Sequence, residues 1–263
     1  MSGHERMSAA FRCGADERPK ASTDRELRTV TAIDRALVYF ERSPEPYAML
    51  MLDVMRRRFR ISSFDDALAR YDQFLAEDSP RRPILRIFRR IADYDNVLQP
   101  GDDAAVRTQV DRLIVPALYC DRKPPPGDYA AQLQQANGAG EYQRTHALLS
   151  LQWLRENRCA MPVSADFESA LIDGVAQLIK VDGTVTDLEL EAAGFLYAYG
   201  HGDRVDAAFI DEALASQNSD GGWLLSNTEQ PGSDWHATTT ATYLLLHAYC
   251  GKRDYPPMLA PGP

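Results

Sequence analysis

Residues 129–251 repeat one helix–turn–helix unit three times, and this repeat constrains the fold more than any other feature of the 263-residue chain. In each unit a helical segment ends at an Asn-Gly or Asp-Gly step, and a more apolar helical segment follows. The turns begin at Asn137, Asp182 and Asp220, so the repeat spacing is 45 and then 38 residues. Helical hairpins of this length stack side by side, because one hairpin alone cannot bury its apolar face.

The rest of the chain has the same helical pattern. Apolar residues recur at intervals of three and four, and the alternation of apolar and polar residues that is typical of strands is scarce. Ser, Thr or Asp followed by acids opens several segments, as in SSFDDAL, SADFESAL and TVTDLELEA, which suits helix N-termini. The sequence therefore predicts an all-α protein with helices at residues 26–41, 46–59, 64–77, 83–94, 102–118, 129–136, 142–156, 165–180, 187–199, 206–217 and 234–249.

The clearest break in this pattern is CDRKPPPGD, residues 120–128, where three consecutive prolines end a helix and impose an extended spacer. The spacer is either a linker between domains or a long surface connection. The predicted regions are a disordered N-terminal segment at 1–23, a helical region at 24–120, the hairpin repeats at 129–251 and a C-terminal tail at 252–263.

Charge is distributed unevenly along the chain. Residues 1–125 contain 22 Lys and Arg against 20 Asp and Glu, whereas residues 126–263 contain 7 against 18. Phosphate backbones repel an acidic surface. No nucleic-acid partner is therefore expected.

The sequence also predicts a compartment. No apolar run approaches the ~20 residues of a membrane span, and the first residues lack the apolar core of a signal peptide. The expected location is the cytoplasm. The cysteines, Cys13, Cys120, Cys159 and Cys250, are widely separated and form no CxxC pair, so they are expected to be free thiols.

The third repeat contains the heptapeptide QNSDGGW at residues 217–223. Asp220 can accept hydrogen bonds from the amides ahead of it, and Gly221 and Gly222 can adopt left-handed dihedrals that end one helix and aim the next. Trp223 can wedge its ring against neighbouring helices. We interpret the motif as a structural corner.

QNSDGGW resembles the repeat signature of the squalene-cyclase and protein-prenyltransferase superfamily, and the hairpins of residues 129–251 resemble the repeats of that family. The resemblance implies an α/α-toroid, which is a complete or incomplete ring of helical hairpins, with residues 24–120 helping to complete it. In that family the Gln, Asp, Gly and Trp of the motif are structural. By analogy, the resemblance also implies a central cavity for an isoprenoid or another apolar small molecule.

The chemical motifs of that family match less well. DYDN, residues 93–96, is the nearest equivalent of the acidic Asp-x-Asp-Asp motif of the cyclases, but acids at a helix end are usually solvated. Asp234 and His236 resemble part of the zinc site of the prenyltransferases, although no Asp-x-Cys precedes them. A divalent metal is one hypothesis for this pair. The other is that Asp234 caps a helix and His236 lies exposed in its first turn.

The helix that contains HATTTATYLLLHAY is the best candidate for a ligand site. Thr239, Tyr243 and Leu246 share a face that presents polar and apolar groups together, as ligand pockets do. The alternative is that the threonines bond back to their own helix. The predicted ligand-binding residues are Thr239, Tyr243, Leu246, Tyr197 and His146, and the predicted catalytic residues are Asp234, His236 and Glu191.

RRPILRIFRR, residues 81–90, is predicted to form an amphipathic basic helix. Arg82, Arg86 and Arg89 could together hold a diphosphate or an acidic partner. The alternative is a solvated face that pairs with acids such as Asp72.

These features favour a terpene-cyclase-like enzyme that binds an isoprenoid or other apolar small molecule in a central helical cavity and performs a cyclisation or an isomerisation. The sequence identifies no cofactor. The alternative is a non-catalytic helical-repeat module that binds a peptide or a partner protein. A cavity with converging ionisable groups would favour the enzyme, and an exposed concave or apolar surface would favour the module.

Overall fold

The computed structural model describes residues 11–13, 23–43, 45–225, 232–251 and 255–262. Within these ranges it contains eleven α-helices and no β-strand, which confirms the all-α prediction. The helices are α1 (Asp24–Glu41), α2 (Pro46–Phe59), α3 (Ala67–Ala76), α4 (Arg82–Phe88), α5 (Gln109–Leu118), α6 (Tyr129–Ala139), α7 (Glu141–Glu156), α8 (Ala165–Ala176), α9 (Asp187–Tyr199), α10 (Ala207–Ala215) and α11 (Trp235–Cys250). None of these helices combines the length and the apolar character needed to cross a membrane.

Side-chain caps fix several helix starts. Thr23, Thr108 and Thr186 each accept a hydrogen bond from the amide three residues later, and the acid at that position bonds back to the cap. Thr108 also explains why the single helix predicted at 102–118 is wrong. Asp102–Ala105 forms only a short 3-10 turn, and α5 begins separately after the Thr108 cap.

Five helices lie side by side in the order α5, α7, α9, α11 and α2, and they run in the same direction. Residues near the start of one helix contact residues near the start of the next, and the same holds for the ends. Between α5 and α7 the contacts are Gln109 with Gln143 and Leu118 with Asn157, and between α7 and α9 they are Tyr142 with Asp187 and Thr145 with Glu191. Between α9 and α11 they are Asp187 with His236 and Tyr197 with His247. Between α11 and α2 they are Trp235 with Tyr47 and His247 with Phe59.

The remaining repeat helices, α6, α8 and α10, pack against this parallel set and are not members of it. Parallel helices cannot be joined by a tight turn, so the chain must run back between them. α6 contacts α5 and α7, α8 contacts α7 and α9, and α10 contacts α11 and α1. In each hairpin, therefore, the first helix returns the chain and the second, more apolar helix joins the parallel set.

QNSDGGW forms the first part of the connection between α10 and α11. Trp223 is buried, and its indole Nε1 donates to the carbonyl oxygen of Ala213 at 2.8 Å while its backbone N–H donates to Thr238 Oγ1 at 3.0 Å. Asp220 accepts the amide of Gly222 at 3.0 Å. These bonds confirm that the motif is a structural corner.

The same motif also bonds to α1. Gln217 Nε2 donates to the carbonyl oxygens of Ala32 and Gly221, each at 2.8 Å. Gly221 has a φ of +95°, and a Cβ at this position would lie 2.2 Å from the carbonyl oxygen of Arg35. Only glycine fits here, because α1 passes closer than any side chain allows.

The N-terminal helices and the repeats share one hydrophobic core. Arg90, in a short 3-10 turn after α4, is fully buried, and its guanidinium donates to Asp121 at 3.0 Å and to Asn157 at 3.3 Å. Residues of the predicted tail also join the fold, since Glu156 accepts the backbone amide of Met258 at 2.9 Å. The spacer at 120–128 thus connects two regions that are packed together.

The four cysteines form two disulfides, Cys13–Cys250 and Cys120–Cys159, so the prediction of free thiols is wrong. Cys120 follows α5 and Cys159 follows α7, and these helices end side by side. The two cysteines are 39 residues apart in the sequence, so the sequence pattern did not predict that they lie close together. Most of the predicted disordered segment 1–23 lies outside the described residues, but Cys13 is buried in the core.

We expect replacement of Cys120 and Cys159 together by Ala to lower the free energy of unfolding by about 2–4 kcal/mol, because the bond restricts the unfolded chain. Urea unfolding of the double variant and of the parent protein, both without reductant, measures the difference. The denatured parent protein, without reductant, should show no reactive thiol in a colorimetric assay. Equal midpoints together with free thiols would contradict the pairing.

Candidate functional site

A cavity of about 660 Å³ lies between α2, α4, α5, α7, α9 and α11. Its lining is mostly apolar and includes two of the three tryptophans. The apolar lining residues from these helices include Leu50, Met51, Ile84, Phe88, Val110, Ile114, Leu149, Trp153, Phe195 and Trp235. A volume of this size fits the usual range for small-molecule sites.

A carboxylate and two imidazoles meet at the wall of this cavity. Glu191 of α9 is only 1% exposed. Its Oε2 lies 3.0 Å from His236 Nε2 on α11, and its Oε1 lies 3.4 Å from His146 Nδ1 on α7. The Thr145 hydroxyl also donates to Oε1. Three neighbouring parallel helices therefore each supply one ionisable side chain to the cluster.

A second carboxylate completes the surroundings of His236. Asp187 Oδ2 lies 3.7 Å from His236 Nδ1, and the Tyr142 hydroxyl donates to the same carboxylate oxygen. The two ring nitrogens of His236 thus face two different carboxylates. An imidazole in this position is stabilised in its protonated form.

The electrostatics of the cluster are dominated by this ion pairing. Burial alone would lower the pKa of His236, but Asp187 and Glu191 raise it to about 10. Burial alone would raise the pKa of Glu191, but His146, His236 and Thr145 outweigh it and hold that pKa below its usual value. At neutral pH the pair is an imidazolium and a carboxylate.

His146 differs from His236 in its hydrogen bonds. Its Nδ1 lies 2.8 Å from the carbonyl oxygen of Tyr142, which can only accept, so Nδ1 carries the proton. In the neutral ring Nε2 then holds a lone pair. His146 lines the cavity with its Nδ1–H held by the Tyr142 carbonyl and the Glu191 carboxylate beside it, which is the arrangement of an oriented general base.

The cluster follows from the repeat. His146, Glu191 and His236 are separated by 45 residues each, which equals the spacing between Asn137 and Asp182, although Asn137 lies inside α6 and the chain turns at Gly140. The spacing from Asp182 to Asp220 is only 38 residues, but the longer connection after Trp223 restores the register in α11. The three side chains consequently occupy equivalent heights on three parallel helices.

The other predicted residues of α11 and α9 are distributed differently. Thr239 and Tyr243 line the cavity with His236, whereas Leu246 is buried away from it and Tyr197 lines a separate cavity. The predicted face was too long, because only the first half of α11 borders the central cavity. Asp234 does not line the cavity either.

Asp234 is a helix cap. Its Oδ1 accepts the backbone amides of His236 at 2.7 Å and Ala237 at 3.4 Å. The threonines of α11 bond back to helix carbonyls, as Thr239 Oγ1 does to Trp235 O at 2.6 Å. The structural interpretations of Asp234 and of the threonines therefore hold.

The predicted basic group is not brought together at a cavity. Arg86 pairs with Asp102, and Arg89 pairs with Asp72 at 2.8 Å. Arg82 is exposed, and none of Arg82, Arg86 and Arg89 lines the central cavity. This arrangement matches a face that pairs with acids.

Two features of the site were missed by sequence reasoning. Tyr142 and Asp187, at the first turns of α7 and α9, form the hydrogen bond that flanks His236. Their separation is again 45 residues, so the repeat contained the available signal. DYDN does not line the cavity, and Asp93 accepts the amide of Asp95 at 3.0 Å in a local turn.

The donor set does not fit a metal site. In the described part of the chain no three His, Cys, Asp or Glu side chains are arranged to hold a metal ion. Asp234 already accepts two amides, so it does not converge with His236.

Comparison with protein-family models, with curated proteins and with solved structures finds no match to this chain.

We expect protein stability to fall above pH 6.5 because of His236. Its pKa rises from 6.5 in the unfolded chain to about 10 in the folded protein, so its contribution is complete below pH 6.5 and disappears as the pH passes 10. Between pH 7.5 and 9.5 the free energy of unfolding should fall by roughly 1.4 kcal/mol per pH unit from this group. Urea unfolding of the parent protein and of His236→Gln measures the slopes, and parallel slopes would contradict the ion pairing.

Proposed function

We propose that this protein is an isomerase that binds an isoprenoid or another apolar carbonyl compound in the central cavity. The observation that carries the proposal is the convergence of Glu191, His146 and His236 on a mostly apolar cavity of about 660 Å³. Apolar walls select an apolar molecule, and a few polar groups in the lining fix its orientation. An ionisable cluster inside a cavity favours an enzyme over a non-catalytic binding module.

The charge state of the cluster favours isomerisation over a cyclisation that begins with protonation of an alkene. Protonation of an alkene requires a strong, neutral acid. Glu191 is ionised, since its pKa lies below the usual value, and His236 holds its proton with a pKa of about 10. The cluster instead offers a base in His146, because the charge of His236 is paired with Glu191 and Asp187.

The proposed reaction moves one proton. Nε2 of His146 removes a proton from a carbon activated by the ligand carbonyl, and the electron pair of the C–H bond moves into an enolate. Glu191 stabilises the imidazolium formed at His146, and the guanidinium of Arg107, which also lines the cavity, supplies positive charge for the negative oxygen. Return of the proton to the same carbon restores the starting ketone, whereas its delivery to the γ carbon of a β,γ-unsaturated ketone, whose enolate is conjugated, restores the carbonyl and shifts the double bond.

We also propose that the helices form an α/α-toroid related to the superfamily that QNSDGGW resembles. Parallel helices α5, α7, α9, α11 and α2 surround the cavity with α4, and the returning helices pack behind them. This supports the N-terminal helices as part of the same ring. An experimental structure in which α2 and α5 border different cavities would contradict it.

The disulfides bear on the compartment. Structural disulfides persist in oxidising environments and are rare in the cytosol. We therefore propose that the chain matures in an oxidising compartment, in place of the cytoplasm predicted from its sequence. Expression in an oxidising host compartment should yield more folded protein than expression in a reducing one, and equal yields of equally stable protein would contradict this.

Ligand binding can be tested with geranylacetone, an apolar isoprenoid ketone. Trp153 and Trp235 line the cavity, so a bound ligand should change the intrinsic fluorescence in a saturable way. Thr239→Phe places a ring in the cavity and should weaken binding at least tenfold. Thr31 makes the same back-bond on the partly exposed face of α1, at 2.9 Å to Leu27 O, so Thr31→Phe is the matched control and should bind normally. No saturable change with the parent protein would contradict the proposal.

A further inference from the structure

A second cavity, of about 550 Å³, lies at the other end of the parallel helices. It is bordered by the ends of α2, α7, α9 and α11, by the turn at 200–203 and by Tyr255 and Pro257. Its lining residues include Arg58, Gln152, Glu156, Tyr197, His247 and Tyr255. This lining is separate from that of the central cavity, and the proposed proton transfer does not use it.

His247 is the most unusual group in this second cavity. Its side chain is only 1% exposed, and its Nε2 has no hydrogen-bond partner among the described residues. Burial, and secondarily the charge of Arg58, hold the pKa of His247 well below its usual value. A buried polar nitrogen without a partner costs free energy, so His247 is poorly explained as a packing residue alone.

Arg58 is the second group that lacks a full set of partners. It is buried, its Nε has no hydrogen-bond partner among the described residues, and one terminal nitrogen donates to Pro256 O at 2.7 Å. Its nearest carboxylate is Glu156, at 4.0 Å. That carboxylate already accepts Gln152 and the amides of the segment after α11. The guanidinium is therefore a buried cation without a close counter-ion of its own.

Aromatic rings supply the remaining walls. The Tyr197 and His247 rings are inclined at 28° with centroids 6.2 Å apart, and Tyr255 meets His247 edge-on, at 85° and 4.9 Å. The Tyr197 ring is seated on the turn, since a Cβ at Gly202 would lie 2.3 Å from it. Flat walls of this kind favour a flat ligand.

We infer that the second cavity binds a planar organic anion, whose carboxylate or phosphate pairs with Arg58 and accepts a hydrogen bond from His247 while its ring lies flat against Tyr197 and meets Tyr255 at an edge. A guanidinium and a neutral imidazole N–H are both suited to an oxyanion. Glu156 and the exposed Asp203 also border the cavity. Their negative charge makes a cationic ligand the natural competing outcome.

The test is isothermal titration of the protein with three naphthalene probes of similar size. We expect 2-naphthoate to bind at one site, and 2-naphthamide and 2-naphthylmethylamine to bind at least tenfold more weakly. Arg58→Met should weaken 2-naphthoate binding at least tenfold. Arg28→Met, which removes an exposed arginine of α1, is the matched control and should leave the affinity unchanged. Preferential binding of the amine would overturn the proposal, as would the absence of 2-naphthoate binding.

His247→Phe separates a ligand role from a packing role. Phe keeps the ring contacts and removes the unpartnered nitrogen, so the variant should be as stable as the parent protein or have a Tm about 2–4 °C higher. Its affinity for 2-naphthoate should nevertheless fall at least fivefold. Unchanged affinity would overturn the role of His247. Thr239→Phe reports on location, because it obstructs only the central cavity, and loss of 2-naphthoate binding in that variant would place the probe there instead.

Discussion

Glu191→Ala is expected to lower the free energy of unfolding by about 3–5 kcal/mol at pH 7 and to abolish proton transfer. The carboxylate is buried between His146 and His236, and its removal leaves the imidazolium of His236 without its nearer counter-charge. It also removes the carboxylate that stabilises a protonated His146. Urea unfolding monitored by circular dichroism gives the stability change.

The control for this prediction is Glu168→Ala. Glu168 pairs with Arg155 near the surface, and such pairs contribute about 1 kcal/mol or less. Glu191→Gln is the informative companion, because it keeps the shape of the side chain and removes its charge. It should retain more stability than Glu191→Ala and still lose activity. A cost for Glu191→Ala as small as that for Glu168→Ala would show that the cluster is not an ion-paired centre.

Gly221→Ala is expected to be the most disruptive single change in the repeat region, with a loss of at least about 4 kcal/mol or failure to fold. The new Cβ would overlap the carbonyl oxygen of Arg35, and the left-handed φ of +95° adds strain. Relief of the overlap requires α1 to move away from the corner, which would break the bond from Gln217 to Ala32 O.

Gly183→Ala is the matched control for this change. Gly183 has a similar φ of +83°, but a Cβ there meets nothing within 4 Å. Gly183→Ala should therefore lose only about 1–2 kcal/mol of stability, because of the strain of the left-handed conformation. If the two variants unfold at the same urea concentration, the close approach of α1 to QNSDGGW is not present in solution.

The helices were predictable because local pattern decides them. Apolar spacing and caps such as Thr186 mark where a helix begins, and the QNSDGGW corner was correctly interpreted because its glycines and tryptophan have one physical use. The helix boundary predicted at 102–118 is wrong for a local reason too, because Thr108 can cap a helix and so marks a new helix start. The disulfides were not predictable, because they depend on which helix ends lie side by side.

The site was only partly predictable for a related reason. Glu191, His236 and His146 were each singled out, but residue type alone does not report the register between helices. The common separation of 45 residues contained that register, because equivalent positions of stacked repeats face one another. Tyr197 and Leu246 were assigned to the same wall because a helix face was treated as continuous, whereas α9 and α11 extend from one cavity to the other.

The most direct test of the account follows deuterium in geranylacetone bound to the protein in D₂O. We expect the parent protein to accelerate exchange of the protons beside the carbonyl at least ~100-fold over buffer, and His146→Gln and Glu191→Gln to remove that acceleration. Mass spectrometry of the extracted ketone measures it. Ketone that binds saturably in the cavity but exchanges no faster than in buffer would contradict the central claim, because the cavity would then be a binding site without proton-transfer chemistry.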